Sequence, residues 1–143
     1  MAEELVAPEI PRLTAEEVVK VVNSPGVVVV DVRDPKEVEE GRIVGSINVP
    51  ASVFKSEDKS TLDEVIKSKL NGASEVVVHC HFSKVRGPTC AKALNDRLKA
   101  LGLDQVPEVK VLAGGVAGFM DKYKEESALV ELPPGGWNPA QTH

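Results

Sequence analysis

Cys80 and Arg86, with five residues between them, sit in the run His79-Cys80-His81-Phe82-Ser83-Lys84-Val85-Arg86-Gly87-Pro88, and together they could handle a tetrahedral oxyanion. A thiolate at Cys80 would attack the central atom in line. Arg86 would offer two oxygens of that anion a planar, bidentate fork, while backbone N–H groups hold the equatorial oxygens through the transition state. Both residue types matter: serine is a far weaker nucleophile, and lysine cannot make the bidentate contact.

The elements that must position this pair are legible on either side of it. Val76-Val77-Val78 is a short β-branched run that reads as a buried strand, and a helical pattern resumes after Pro88, so the stretch from Cys80 to Arg86 is expected as a loop between them. If its N–H groups converge, the loop forms a nest for an anion, reinforced by the N-terminus of the following helix. The same positive surroundings favour the thiolate form of Cys80.

The substrate is expected to meet His81, Phe82, Ser83, Lys84, Val85 and Arg86. Ser83 has two readings, donating its hydroxyl to the thiolate or capping the turn. Lys84 and His81 either collect the anion at the mouth or are simply exposed. Cys90 lies four residues beyond Arg86, on the apolar stripe Cys90, Leu94, Leu98, Leu101. That placement favours a buried structural thiol, with a resolving thiol as the other reading.

A chain of 143 residues with 42% hydrophobic content fits one domain with a real core. Its net charge of -5 argues against a nucleic-acid partner and means that any anion must be drawn locally, by Lys84 and Arg86. Two cysteines ten residues apart form neither a disulfide framework nor a metal-ligand pattern, and a working thiolate suits a reducing compartment. Residues 1–10 carry Glu3, Glu4 and Glu9 with no basic leader or apolar run. A cytoplasmic or nuclear protein without a membrane segment is therefore expected.

Along the chain, Thr14-Ala15-Glu16-Glu17 has the form of a capping box opening a helix to about Val22. Val27-Val28-Val29-Val30 reads as a strand covered on both faces, the mark of a parallel sheet between helices. Asp34-Pro35-Lys36-Glu37 opens a second, short helix ending near Gly41. Residues 51–60 read as a polar surface loop, Thr61-Leu62-Asp63-Glu64 as a further capping box, and Val109-Lys110-Val111-Leu112 as another strand. Gly114-Gly115 should let backbone pass close to the active loop, with Phe119 anchoring the helix that follows. The tail from Leu132 is rich in turn formers and aperiodic, with Trp137 expected to pack on the domain.

The spacing of Cys80 and Arg86 resembles the signature of cysteine-dependent phosphatases, and the run from His79 to Pro88 is similar to cell-cycle dual-specificity phosphatases of the rhodanese fold. Val85-Arg86-Gly87-Pro88-Thr89-Cys90-Ala91 resembles the small eukaryotic arsenate reductases of that superfamily. Leu13-Thr14, Asp31-Val32-Arg33, the run from Gly41 to Pro50, and Leu112 with the glycine pair and Phe119 resemble rhodanese domains too, although tryptophan is usual where Phe119 stands.

The resemblance implies an α/β rhodanese-like domain, a central parallel sheet of about four or five strands flanked by helices, with the loop at its C-terminal edge. The whole chain, 1–143, is expected as one such domain, with a core at about 13–123 and an irregular tail over 124–143. It also implies structural duties for Asp31 and Arg33, and a His79 that shapes the loop rather than acting as a base. A phosphatase acting on phosphate monoesters, of tyrosine or dual-specificity type, is the leading expectation. An arsenate reductase drawing electrons from glutathione or glutaredoxin is the alternative. Sulfur transfer is weaker, because typical sulfurtransferase loops are one residue shorter, and a binding module without catalysis is the remaining reading. No cofactor or metal is implied; the partner is a small oxyanion or phosphorylated substrate, with glutaredoxin joining it in the reductase. His81 and Val85 replace acidic residues of the cell-cycle phosphatases, so the proton donor would have to be His81, Asp31, Asp34 or the substrate itself.

Overall fold

The β-branched segments form the centre of the molecule. In the computed structural model, which describes residues 5–139, five strands lie parallel: β1 (Arg12–Leu13), β2 (Val27–Asp31), β4 (Ile47–Asn48), β5 (Glu75–His79) and β6 (Glu108–Leu112), in the order β1-β6-β5-β2-β4. Glu3 and Glu4 of the acidic N-terminus lie outside the described residues.

Alternation along each strand sends side chains to two cores. On one face Val30, Val76, Val78, Val109 and Val111 pack against Phe54 of α3 (Ala51–Lys55), Leu62 and Ile66 of α4 (Ser60–Lys69), and Leu94 and Leu98 of α5 (Arg86–Leu101). On the other face Val29, Val77 and Leu112 meet Val18 of α1 (Ala15–Val21) and Val116, Phe119 and Met120 of α6 (Gly115–Tyr123). This two-sided burial is what a continuous valine run requires. It bears out the expected parallel sheet flanked by helices.

Local signals hold where the chain solves its own end problem. Thr14 and Glu17 exchange both capping-box bonds, at 3.0 and 3.1 Å. Pro35 opens α2 (Pro35–Val38), and Glu37 Oε1 accepts the Asp34 N–H at 3.2 Å. Three expectations need correction. Residues 51–60 are not all loop: α3 forms there because Phe54 reaches the core and is almost fully enclosed. Helix α4 begins at Ser60 without a Thr61 cap, the Asp58 carboxylate taking the Ser60 N–H at 2.9 Å instead. The tail is not irregular throughout, since β7 (Val130–Glu131) pairs antiparallel with β3 (Arg42–Ile43), burying Val130 against Ile43 in the second core. Two-residue strands carry no periodicity, so pairing that depends on distant partners is invisible locally.

Candidate active site

Parallel pairing of β2 with β5 places Asp31 opposite His79, bringing both strand ends to one edge of the sheet. Cys80 follows directly. Helix α5 begins at Arg86, two residues earlier than the expected Pro88, so Arg86 sits in the first turn of the helix instead of closing a free loop. The first N–H groups of a helix have no partner within it. The Gly87 N–H spends that capacity on Cys80 Sγ at 3.2 Å, and the Ser83 N–H donates to the same sulfur at 3.2 Å. The sulfur is therefore held between two backbone donors at a helix N-terminus.

Ser83 has a φ of 55°, the left-handed turn that aims its N–H inward. Its hydroxyl accepts the Cys80 N–H at 3.3 Å, so of the two readings for Ser83 the structure places the hydroxyl in the turn. Helix α6 closes the loop from the other side: the Val116 and Ala117 N–H groups donate to the carbonyls of Cys80 and His81 at 3.1 and 2.9 Å. This approach is possible because Gly115 has no side chain. A Cβ there would lie 2.3 Å from the His81 carbonyl oxygen, and the residue's φ is 62°. Gly115→Ala should therefore displace the loop, costing about 2 kcal/mol or more of stability, as a denaturant midpoint would show. Activity should fall with it.

His79 is fully buried; its Nδ1–H donates to the Cys80 carbonyl at 3.0 Å, which fixes the tautomer because a carbonyl can only accept. Burial pushes its pKa down, against the opposing pull of Asp31, so the ring is neutral at neutral pH. It shapes the loop through a main-chain carbonyl and is not placed as a base on the sulfur.

Asp31 and Arg33 form a buried pair, Arg33 Nη2 donating at 2.7 Å and Nε at 3.0 Å to the carboxylate, which also takes the Arg33 N–H at 3.0 Å. Burial alone would raise the Asp31 pKa, but the net direction is downward, through His79 and the Arg33 hydrogen bonds. An aspartate so engaged has no proton to give, which removes Asp31 from the candidate acids.

Arg86 is not free either. Its Nη1 and Nη2 donate to Glu37 Oε1 and Oε2 at 2.7 and 3.0 Å, a pairing that holds it more firmly protonated. Sequence reasoning assigned Glu37 only a capping role, and its partner lies 49 positions away. No local signal marks the contact.

The rim residues divide sharply. Phe82 and Val85 are 49% and 59% exposed, and Lys84 is exposed beside them. His81 is not at the mouth: it is only 5% exposed, stacked on Trp137 with centroids 5.8 Å apart and meeting the Phe82 ring edge-on at 4.4 Å. Trp137 packs on the domain as expected. Cys90 is fully buried, and desolvation pushes its pKa up to about 12, which makes it a poor resolving thiol. Among the described residues no cluster of metal-ligating side chains occurs, and no helix is long and apolar enough to cross a membrane.

A sequence profile described as the rhodanese-like domain matches residues 14–122. The chain belongs to the rhodanese-like domain family. Its rhodanese-like domain is 30% identical over 118 residues to the dual specificity phosphatase ibp1 of Schizosaccharomyces pombe, covering 72% of this chain and 81% of that protein. Arsenate reductase 2.2 of Oryza sativa subsp. japonica is 33% identical over 108 residues, 75% of this chain and 79% of its own. Among solved structures, the As–Sb reductase from Leishmania major has the same rhodanese-like fold, with a TM-score of 0.73 and 29% identity over 86% of each chain. These relatives are named as a phosphatase, an arsenate reductase and an As–Sb reductase, so kinship supports enzyme activity without choosing the reaction.

Proposed function

We propose that this rhodanese-like protein is a cysteine-dependent phosphatase acting on phosphate monoesters. The observation that carries the reading is the cradle itself: Cys80 Sγ receives N–H donors from Ser83 and Gly87, at the first turn of α5 where Arg86 stands. Cys80 attacks phosphorus, the S–P bond forms and the bond to the leaving oxygen breaks. Water then cleaves the phosphocysteine, releasing inorganic phosphate and the thiolate. The loop N–H groups and Arg86 hold the equatorial oxygens in both steps.

The leaving group receives little help. Positions 81–85 hold no carboxylate, Asp31 is tied to Arg33 and Glu37 to Arg86, so of the candidate donors exposed Asp34 and buried His81 remain beside the substrate itself. Aryl esters, whose oxygen departs readily without a proton, suit such a site, and exposed Phe82 and Val85 offer their rings an apolar rim. A reducing compartment, cytoplasmic or nuclear, keeps the nucleophile competent.

The kinship with arsenate reductases supports a second reading on the same atoms. There Cys80 forms an S–As bond, and the full reaction converts arsenate and two thiols into arsenite, a disulfide and water. With Cys90 buried and its pKa raised, those electrons would come from glutathione and glutaredoxin. A paired assay separates the two: phosphate release from a small aryl phosphate, beside arsenate-dependent oxidation of glutathione with glutaredoxin present. Phosphate release without thiol oxidation is expected. Robust thiol oxidation with negligible hydrolysis overturns the phosphatase reading.

A further inference from the structure

The guanidinium of Arg86 is held from outside the loop, and its support can be followed back into the core. A guanidinium has two edges able to grip an oxyanion, the Nη1/Nη2 end and the Nε/Nη2 side. Glu37 occupies the first with both carboxylate oxygens. Among the described residues the second makes no further hydrogen bond. Glu37 is itself fixed twice: its Oε1 accepts the Asp34 N–H at 3.2 Å, and its carbonyl accepts Arg33 Nη1 at 3.0 Å. Arg33 in turn is locked by Asp31 and donates to the Gly41 carbonyl at 2.8 Å. With side-chain exposures of 12% for Glu37 and 31% for Arg86, the pair is sheltered enough to hold its geometry.

We infer that Glu37 is a positioning residue that commits one edge of Arg86 to the protein and presents the other to the oxyanion, with the buried Asp31–Arg33 pair as its anchor. The inference rests on the oxyanion-cradle reading of the loop, not on which ester or oxyanion is turned over. It opposes the alternative in which Glu37 competes with substrate for Arg86. Without Glu37, the guanidinium must be ordered at the moment of binding, and misplacement of a charge clamp is expensive.

The test is calorimetric titration of inorganic phosphate into the full chain and into Glu37→Gln, Glu37→Ala, Arg86→Ala and the Glu37→Ala/Arg86→Ala double variant, with thermal melts alongside. Phosphate affinity should fall about tenfold or more in Glu37→Ala, with a smaller loss in Glu37→Gln, whose amide oxygen still accepts one N–H. In the Arg86→Ala background the Glu37 substitution should cost nothing further, a coupling that a merely structural role would not produce. Unchanged or tighter phosphate binding in Glu37→Ala overturns the inference, as does additivity with Arg86→Ala or the absence of phosphate binding by the unaltered protein. Because the readout needs no turnover, a protein that binds phosphate with this coupling but hydrolyses no ester refutes the phosphatase reading and leaves the role of Glu37 standing.

Discussion

Cys80→Ser should abolish turnover by at least about a thousandfold while leaving the melting temperature nearly unchanged. The chemical reason is that a serine hydroxyl is not ionised at neutral pH and replaces a soft, strong nucleophile with a weak one. The structural reason is that nothing around the atom is orphaned. The Ser83 and Gly87 N–H groups that donate to Sγ at 3.2 Å would still face an acceptor in the hydroxyl oxygen, and the loop is separately held by α6 through the carbonyls of Cys80 and His81. Steady-state rates with an aryl phosphate, and with arsenate plus glutathione and glutaredoxin, measure the effect on either chemistry. Retention of more than a few per cent of the wild-type rate would remove Cys80 as the nucleophile.

Arg33→Ala should be the most damaging substitution to the fold. It leaves the Asp31 carboxylate buried without its guanidinium and takes the Arg33 donors from the carbonyls of Glu37, which keeps the Glu40 N–H at 3.1 Å, and of Gly41. Breaking a buried pair by removing one partner typically costs about 3–5 kcal/mol, against a total stability of about 5–15 kcal/mol for a domain. Urea midpoints should show a loss in that range. A loss below about 1 kcal/mol would mean that water reaches Asp31.

The same buried group makes stability depend on pH. The folded-state pKa of Asp31 lies below its ordinary value of 3.8, so its contribution is complete above that value and is lost as pH falls through the folded value. His79, held below its ordinary value of 6.5 by burial, acts in the same direction, since the unfolded chain takes up a proton that the folded chain resists. Stability should therefore decline on acidification from about pH 6.5 downward, and fall more steeply below about pH 4. Denaturant titrations across pH 3–8 would check this; a protein equally stable at pH 5 and pH 7.5 would show that folding leaves the proton affinity of His79 unchanged.

What could be read locally was what the backbone decides within a few residues. The valine runs of β2 and β5 demand burial on two faces, which by itself calls for a parallel sheet between helices, and Thr14 with Glu17 caps a helix using neighbours only. The strand–loop–helix around Cys80 and Arg86 was legible, and Gly114-Gly115 announced a close backbone approach that Gly115 makes against His81. Each depends on periodicity, on φ and ψ, or on residue chemistry at short range.

What tertiary structure alone decided is which charges are available. Arg86 reads as a free cation, yet it spends two donors on Glu37; Asp31 reads as a possible acid, yet Arg33 holds it ionised against the opposing effect of burial; His81 reads as a rim residue, yet Trp137 covers it. The pairing of Val130 with Ile43 was equally hidden. Apart from Asp31 and Arg33, which are two positions apart and owe their pairing strength to burial, these contacts join positions far apart in the chain, with partners that no local window contains. The sequence by itself thus determined the parallel sheet, the Thr14 cap and the family. The packed fold determined which of the loop's charged neighbours are bound to one another, Arg86 to Glu37 and Asp31 to Arg33.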